Sequence, residues 1–355
     1  MKHLQRMFLS VSIAALLAAC GGGGGSSSSA SQDVTNNGST DVETDVDNGQ
    51  DNTDVETEVD NGDDNTSTDV DNNGDLGNIF NGPPSDYFDL NCWTLSVPVD
   101  EDNNGIADNQ SDSDVADGYT HLNYFYMSDD GGMVFRTPPQ GPKTSANTKY
   151  TRTELREMMR CGDTSISTKG VNKNNWVFSS APQADQDAAG GVDGKMTATL
   201  AVNQVTTTGE DYQVGRLVIG QIHANDDEPV RLYYRKLPDN DKGSIYFAHE
   251  PRDGYGEEYT VNLIGSSSSS ASDPDNGIAL NQTFSYTIEV QGNDLTVSIA
   301  APNQAVVSKT INMNGSGYDQ GGQYMYFKAG VYHLNNSADS DEYAQATFYQ
   351  LDVSH

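Results

Sequence analysis

The sequence predicts an all-β fold, a single sandwich of antiparallel sheets, over residues 86–355. Three observations point to it. The chain in this range reads as short runs in which apolar and polar residues alternate, as they do in half-buried strands. These runs are separated by clusters of Gly, Asn, Asp and Ser, and convincing helical periods are few. About 270 residues of such strands are enough to bury a substantial core.

The individual strands follow from this alternation, with one ambiguous segment. The composition of residues 153–160 would suit a helix as well as a strand. Residues 292–294, Gly-Asn-Asp, read as the turn of a hairpin. The runs that predict strands are, in chain order, 196–205, 216–223, 230–237, 244–249, 259–264, 284–291, 295–300, 305–313, 323–335 and 344–353.

Residues 1–20 have the layout of a bacterial export signal. Lys2 and Arg6 supply a positive start, an apolar run follows, and Leu17-Ala-Ala-Cys20 resembles a lipobox, in which the cysteine is lipidated. The apolar run is shorter than the roughly 20 residues that span a bilayer. We therefore expect a lipoprotein anchored through Cys20, in the outer membrane or at the cell surface of a Gram-negative bacterium. An ordinary secretory signal that is cut nearby is the alternative.

Residues 21–85 have the composition of a tether. They are rich in Gly, Ser, Asp and Asn, and they contain 15 acidic residues but no Lys or Arg. The string Asp41-Val-Glu-Thr-Asp-Val-Asp-Asn-Gly is repeated with one change from Asp54. So few apolar residues cannot offset the loss of chain entropy on folding, and we expect a disordered acidic spacer.

The net charge limits the partners of the remaining domain. Residues 86–355 hold 37 acidic and 17 basic side chains, a net charge of −20. Nucleic acid is excluded as a partner, because phosphate binding requires a basic surface. Such acidity suits a protein that works in salty water, where screening shortens the range of repulsion between like charges to under about 10 Å. From this alone we expect a marine origin.

Three short strings carry the functional information. In a strand, residues two apart lie on the same face, so each string should present several polar side chains together. Their apolar neighbours, such as Leu155, Ile222, Phe327 and Val331, should point into the core. Together the strings would line one surface with groups suited to a polyanionic substrate and to proton transfer. They are Arg152-Thr-Glu-Leu-Arg156, Gln221-Ile-His223 and Tyr326-Phe-Lys-Ala-Gly-Val-Tyr332.

The same strings, in this order, closely resemble the signature regions of the alginate lyases of polysaccharide lyase family 7. The resemblance covers roughly residues 86–355 and extends through Cys92-Trp-Thr-Leu-Ser-Val-Pro, Asn175-Trp-Val-Phe and Tyr233-Tyr-Arg-Lys. It implies a β-jelly roll with a concave substrate groove. It also implies that the ambiguous segment is a strand, with Arg152 and Arg156 on one face.

The resemblance implies a reaction, the β-elimination of a uronate-linked polysaccharide, alginate. A base removes the proton on C5, and the bond from C4 to the bridging oxygen breaks, which leaves an unsaturated uronate. The family's catalytic residues match Arg152 and Gln221, which neutralise the carboxylate, His223 as the base or its positioning group, and Tyr332 as the acid. For mannuronate, Tyr332 can serve as both base and acid, whereas His223 takes the proton of guluronate.

Further residues of the same surfaces are expected to bind the polymer or to orient these four. Glu154 should orient the arginines, and the others should contact neighbouring carboxylates. For the two on the strand at 230–237, a solvated outer face is the alternative. The predicted binding residues are Glu154, Arg156, Arg231, Arg235, Tyr326 and Lys328.

Once Cys20 is assigned to the lipid, Cys92 and Cys161 remain as an even pair in an exported protein. Oxidising conditions favour a disulfide between them, and two free thiols are the alternative. Such a bond would tie the first strand of the domain to the segment that follows the Arg152 string. Closing a loop of this length stabilises a domain by about 4 kcal/mol.

An acidic loop raises the question of a metal. Asp100, Asp102, Asn104 and Asp108 match positions one, three, five and nine of a calcium loop, with Gly105 at the turn. Position twelve holds a serine instead of a glutamate, and an acidic surface turn is an equal alternative. Any calcium would be structural, because the elimination itself requires no cofactor. We expect the protein to act as a monomer.

Two other function classes were weighed. A glycoside hydrolase on a similar sandwich needs two placed carboxylates, and no Glu-x-Asp-x-x-Glu strand is present. A non-catalytic alginate-binding lipoprotein would tolerate loss of His223 or Tyr332, and both are present. A lyase acting on another polyuronate, such as polyglucuronate, is the remaining alternative.

Overall fold

A computed structural model describes residues 80–355. The signal, Cys20 and most of the tether lie outside the described residues. Two short helices are present, α1 (Asp112–Ala116) and α2 (Gln183–Ala188), together with a 3-10 turn at Pro84–Asp86. The strands are β1 (Trp93–Ser96), β2 (Asn109–Gln110), β3 (Phe125–Met127), β4 (Met133–Thr137), β5 (Thr151–Glu157), β6 (Trp176–Val177), β7 (Gly191–Val192), β8 (Gly194–Gln204), β9 (Arg216–His223), β10 (Val230–Arg235), β11 (Lys242–His249), β12 (Tyr259–Ile264), β13 (Ile278–Ala279), β14 (Phe284–Gln291), β15 (Asp294–Ala300), β16 (Val307–Asn312), β17 (Tyr326–His333) and β18 (Ala344–Ser354).

Two antiparallel sheets make up the sandwich. The first, here called the site sheet, has the order β12-β11-β10-β9-β17-β5-β1-β2, and β13 pairs with β11. The second has the order β16-β15-β14-β8-β18-β4-β3. Strands β6 and β7 form a small parallel pair apart from both sheets. Many neighbours in both sheets are distant in sequence, as in β5 and β17, so the fold is held by long-range pairing.

The main core lies between the two sheets. Leu155, Ile222, Phe327 and Val331 of the site sheet are fully buried in it, as the alternation predicts. The second sheet contributes inward residues such as Tyr286 from β14. A smaller apolar cluster lies on the other face of the site sheet, here called its outer face, and it includes Tyr150, Val218, Tyr233 and Tyr332. The site sheet is therefore packed on both faces at its centre.

The predicted all-β class is confirmed, and each of the ten predicted runs contains a strand. The ambiguous segment is strand β5, which begins at Thr151 and ends at Glu157. The additional elements are short, between two and six residues, and include β2, β6, β7 and the two helices. Elements of this length contain only one to three periods of either pattern, too few for the pattern to stand out from chance.

The folded unit extends beyond the boundary at residue 86 expected from composition. Phe80 packs against the main core, and its ring meets that of Tyr87 edge-on at 5.2 Å. Pro84 is buried within the 3-10 turn. The proline and the aromatic ring are apolar side chains of a kind that is rare in the acidic repeats before them in the sequence.

The predicted disulfide between Cys92 and Cys161 is present. It joins the segment before β1 to the turn after β5, and the amide of Met158 donates to the carbonyl of Cys92 beside it. The covalent link therefore holds β1 against the strand that carries the Arg152 string. Within residues 80–355, neither helix has the length and apolar character needed to cross a bilayer.

Candidate active site

The three strings lie on three adjacent strands at the centre of the site sheet. Strand β17 pairs with β5 on one side and with β9 on the other. Tyr332 is opposite Arg152, Lys328 is opposite both Arg156 and Gln221, and Tyr326 is opposite His223. The register thus brings the four predicted catalytic residues and their polar neighbours onto one face.

A bulge in β9 is required for this arrangement. Val218 and Gln221 both face outward although they are three residues apart, because Ile219 is an extra residue in the pairing with β10. The next position, Gly220, has no room for a side chain, since a Cβ there would lie 2.6 Å from the hydroxyl of Tyr286. The bulge shifts the strand by one residue, so that Gln221 and His223 share the face of Val218.

Gly330 makes the matching adjustment in β17. Its φ is +142°, and a Cβ would lie 2.6 Å from the carbonyl oxygen of Thr153. The pairing with β9 shifts between Ala329 and Tyr332 at this point. A glycine is needed both for the dihedral and for the close approach of β5.

Glu154 is the centre of the polar cluster on this face. Its carboxylate accepts from Gln221 Nε2 at 2.5 Å and from Arg152 at 3.2 Å, and Lys328 Nζ lies at 2.9 Å. All four side chains are buried. One carboxylate thus contacts three donor groups from three strands, a geometry suited to the orienting role expected of Glu154.

Arg152 also contacts Tyr332. The guanidinium carbon lies 3.9 Å from the centre of the Tyr332 ring, in the range of a cation–π interaction. Tyr150 meets the same ring edge-on, with centroids 6.2 Å apart. The hydroxyl of Tyr150 accepts from the amide of Gln213 at 3.0 Å. Tyr332 is therefore held on both sides beside the arginine.

His223 is fixed by its ring nitrogens and by stacking. Nδ1 lies 2.7 Å from the carbonyl oxygen of Ala224, and Nε2 lies 3.3 Å from Oε1 of Glu228. The imidazole stacks on Tyr326, with centroids 5.0 Å apart and planes 10° from parallel. The guanidinium of Arg156 contacts the Tyr326 ring at 4.0 Å. Tyr326 therefore contacts both His223 and Arg156 through its ring.

Arg231 and Arg235, predicted to bind substrate, lie on the outer face with acceptors from the protein. Arg231 pairs with Glu228 at 3.5 Å, with Glu250 at 3.3 Å and with Glu258. The guanidinium of Arg235 donates to three backbone carbonyls, those of residues 211, 214 and 267. These contacts assign Arg235 a structural task, since it ties the serine-rich loop after β12 to the segment before β9.

The acidic loop brings three of its predicted ligands together. Ligand oxygens of Asp100, Asp102 and Asp108 lie within 4.8 Å of one another. Both oxygens of Asp100 accept backbone amides, from Asn104 and Gly105. Burial raises the pKa of Asp108, against a hydrogen bond from the backbone of Glu101 that lowers it. A set of carboxylate oxygens in a tight loop fits a hard cation such as calcium.

Glu228 and Tyr150 are the residues that the sequence analysis missed. Glu228 lies in the turn between β9 and β10, where the amide of Ala224 donates to Asp227. A hairpin necessarily returns the chain to the strand before it, here to the end of β9 at His223. The hairpin was therefore the signal from which a contact between the turn and His223 could have been predicted. It could not select Glu228 over the adjacent Asp226 and Asp227, because turn residues do not follow the two-residue alternation.

Comparisons with known proteins show that the chain is similar to alginate lyases. A family model described as "Alginate lyase" matches residues 88–355. A curated alginate lyase from Klebsiella pneumoniae is 55% identical over 279 residues, which are 77% of this chain and 91% of the relative. The crystal structure of the alginate lyase from Klebsiella pneumoniae is 55% identical, with a TM-score of 0.76 over 77% of this chain and 98% of that one.

More distant solved structures share the fold. Alginate lyase A1-II', described as a member of polysaccharide lyase family 7, is 25% identical with a TM-score of 0.55, over 77% of this chain and 98% of that one. An alginate lyase from Pseudomonas aeruginosa is 28% identical with a TM-score of 0.54, over 75% of this chain and 99% of that one.

Proposed function

Because the chain belongs to the alginate lyase family, polysaccharide lyase family 7, we propose that it depolymerises alginate by β-elimination at the outer face of strands β5, β9 and β17. The observation that carries this mechanism is the register that sets Arg152 beside Tyr332 and Gln221 beside Lys328. The products are oligosaccharides with an unsaturated uronate at the non-reducing end.

The first task of the site is to reduce the charge on the substrate carboxylate. The C5 proton is only weakly acidic while that carboxylate is fully charged, so donors aimed at it stabilise the charge that develops in the transition state. Arg152 offers a planar fork and Gln221 an amide N–H. Glu154 supports the proposal, because it holds both groups in place before substrate arrives.

The second task is proton transfer. Nε2 of His223 takes the C5 proton of guluronate, and the phenol of Tyr332 gives a proton to the leaving oxygen on C4. In mannuronate the proton and the leaving group lie on the same side, and Tyr332 serves for both transfers. The contacts of Tyr332 with Arg152 and Tyr150 support this role, since they fix the ring while its hydroxyl reacts.

Ultraviolet absorbance tests the elimination directly. Residues 80–355 are incubated with alginate, and a rise in absorbance reports the conjugated double bond that elimination creates and hydrolysis does not. We expect the rise to persist in the presence of a chelator, since the chemistry uses side chains alone. A flat trace on polymannuronate, polyguluronate and polyglucuronate would reject the lyase and favour an alginate-binding protein. A rise on polyglucuronate alone would reassign the substrate.

Membrane anchoring is a further part of the proposal. The Leu17-Ala-Ala-Cys20 string and the acidic spacer after it support a lipid anchor in the outer membrane. Metabolic labelling with a fatty-acid analogue in a Gram-negative host tests it: the full chain should be labelled, and Cys20→Ala should not. An unlabelled full chain that is cut at a different residue would indicate an ordinary secretory signal.

A structural calcium ion at the acidic loop is the last part. The three clustered carboxylates support it, and none of them is a proposed catalytic residue, so we assign the ion a structural role. Thermal unfolding with added calcium tests it, because a ligand of the folded state raises the Tm. The Tm of Asp102→Asn should then be independent of calcium. An unchanged Tm of the unsubstituted protein would identify the loop as an acidic turn.

A further inference from the structure

The two nitrogens of His223 face different acceptors. Nδ1 lies 2.7 Å from the carbonyl oxygen of Ala224, which only accepts hydrogen bonds. Nδ1 therefore carries a hydrogen in both the neutral and the charged ring. Nε2 is left as the atom that gains and loses the proton, and it lies 3.3 Å from Oε1 of Glu228.

Glu228 is held in that position by the protein. Its side chain is buried. The backbone carbonyl of Glu228 accepts from the amide of Glu250 at 3.2 Å, which pins the end of the β9–β10 turn to β11. Its second carboxylate oxygen lies 3.5 Å from Arg231. The carboxylate thus has one oxygen for the arginine and one for the histidine.

The surroundings of Glu228 hold more negative than positive charge. Arg231 is shared by Glu228, Glu250 and Glu258, so that three carboxylates face one guanidinium. Burial raises the pKa of Glu258, against the attraction of Arg231. Burial, with the repulsion of Glu250, raises the pKa of the nearby Asp227 to about 6. A cation at His223 lowers the electrostatic energy of this cluster.

Further groups near His223 come from two other strands. Tyr326 of β17 covers one face of the ring, and Arg156 of β5 lies on the Tyr326 ring. Arg156 opposes a positive charge on His223, and both groups contact the Tyr326 ring. Glu228 lies within ion-pair distance of Nε2 and is the charged group closer to it.

We propose that Glu228 is a positioning residue for His223, which orients the ring and stabilises the imidazolium formed when Nε2 accepts the substrate proton. The inference rests on the proposed role of His223 as the base for guluronate. The C5–H bond breaks and its proton moves to Nε2, the electron pair forms the C4–C5 double bond, and the leaving oxygen receives a proton from Tyr332. Glu228 stays ionised throughout, and its negative charge stabilises the protonated ring.

Glu228→Gln tests the proposal, because it keeps the shape and removes the charge. On polyguluronate we expect kcat to fall by about tenfold or more, with KM little changed, since Glu228 does not touch the substrate. The acid limb of the pH profile of kcat should move to lower pH by about one unit, because His223 loses its proton more readily without the carboxylate. A pH profile that coincides with that of the unsubstituted protein would overturn the proposal.

Glu258→Gln is the matched control. Glu258 contacts Arg231 but is not a contact of His223, so this variant removes a charge from the same cluster at greater distance. We expect its acid limb to move less than that of Glu228→Gln. Equal shifts in both variants would contradict a specific contact and would indicate a general effect of the acidic cluster.

A spectroscopic readout is independent of turnover and of the stability of the variant. The domain of residues 80–355 is labelled with 15N-histidine, and His223 is assigned from the signal that disappears in His223→Asn. We expect the neutral ring of the unsubstituted protein to carry its hydrogen on Nδ1, and to be protonated at Nε2 on acidification. A neutral ring with its hydrogen on Nε2 would overturn the proposal. If no polyuronate gives absorbance, the proposed function fails, while the pH at which this spectrum shows His223 to be protonated, compared with the same measurement on Glu228→Gln, still decides the Glu228–His223 contact.

Discussion

Nε2 of Gln221 lies 2.5 Å from Oε1 of Glu154, although strand β17 separates their two strands. An ionised carboxylate only accepts hydrogen bonds, so the contact fixes which end of the amide faces Glu154. The same carboxylate holds Arg152 and Lys328. The orientation of the donors that serve the substrate therefore depends on one buried acid that does no proton transfer.

Glu154→Gln should lower both stability and turnover. Removing the charge leaves Arg152 and Lys328 without their shared anion, and breaking a buried pair of this kind costs about 3 kcal/mol. For a domain of this size the Tm should fall by about 6–12 °C. We expect kcat on alginate to fall more than KM rises, because the donors lose their orientation. Calorimetry and initial rates at a temperature where the variant is folded measure the two effects.

The control for this variant is Glu289→Gln in the second sheet. Glu289 pairs with Lys195 at 3.9 Å, and the lysine is exposed to solvent while the glutamate is partly exposed. Such pairs contribute about 0–1 kcal/mol, so the Tm and the rate should stay close to those of the unsubstituted protein. If Glu154→Gln behaves like this control, the cluster around Glu154 does not organise the site.

Tyr332→Phe and His223→Ala separate chemistry from binding. Phenylalanine keeps the ring contacts with Arg152 and Tyr150 but lacks the hydroxyl, so folding and alginate binding should be nearly unchanged while turnover is abolished. His223→Ala should abolish turnover on polyguluronate in the same way. Calorimetric titration with alginate oligosaccharides measures binding. Equal losses of binding and rate would mean that these residues shape the site instead of reacting.

The sequence predicted this face of the sheet because alternation in a strand is a local property. Arg152, Glu154 and Arg156 follow it without a break, and Leu155 enters the core as expected. The β9 bulge was not predictable, because an extra residue at Ile219 is seen only when the partner strand is known.

Arg231 and Arg235 make their contacts with residues of loops and turns, and no local sequence pattern predicts such contacts. Arg235 meets carbonyls at residues 211, 214 and 267, which are brought to it by separate loops. Glu228 reaches His223 through a turn whose conformation sets the direction of each side chain. Long-range register and loop conformation are therefore the parts of the site that require a structure.

Gly330→Ala should destabilise the centre of the site sheet. An alanine must adopt a φ of +142° and place its Cβ 2.6 Å from the carbonyl of Thr153, so β5 and β17 must separate. Strain of this kind costs about 1–3 kcal/mol, and steric overlap adds to it. Gly254→Ala is the control, since Gly254 also has a positive φ, of 80°, but has open space around its Cβ position. Thermal unfolding should show a larger loss of stability for Gly330→Ala than for Gly254→Ala. Equal losses would mean that backbone strain alone accounts for the effect.

Reduction of the Cys92–Cys161 bond should lower stability without changing the chemistry. The bond closes a loop with a sequence separation of 69 residues, and its loss should cost about 4 kcal/mol. A fall in Tm of about 8–16 °C is expected on that basis. The double variant Cys92→Ala, Cys161→Ala should show the same Tm with and without reductant. Activity at low temperature should persist, because hydrogen bonds between β1 and β5 remain.

His333 should make stability depend on pH in the mildly acidic range. Burial lowers the pKa of His333 to about 4, so the folded protein keeps it neutral where an unfolded chain protonates it, near pH 6.5. The stabilisation is complete above pH 6.5 and is lost as the pH falls towards 4, below which both states are charged. The change amounts to about 3 kcal/mol. Urea unfolding of the unsubstituted protein and of His333→Asn between pH 7 and pH 4 measures it. The stability of His333→Asn should fall less steeply over that range, and parallel curves would show that other groups set the acid sensitivity of the fold.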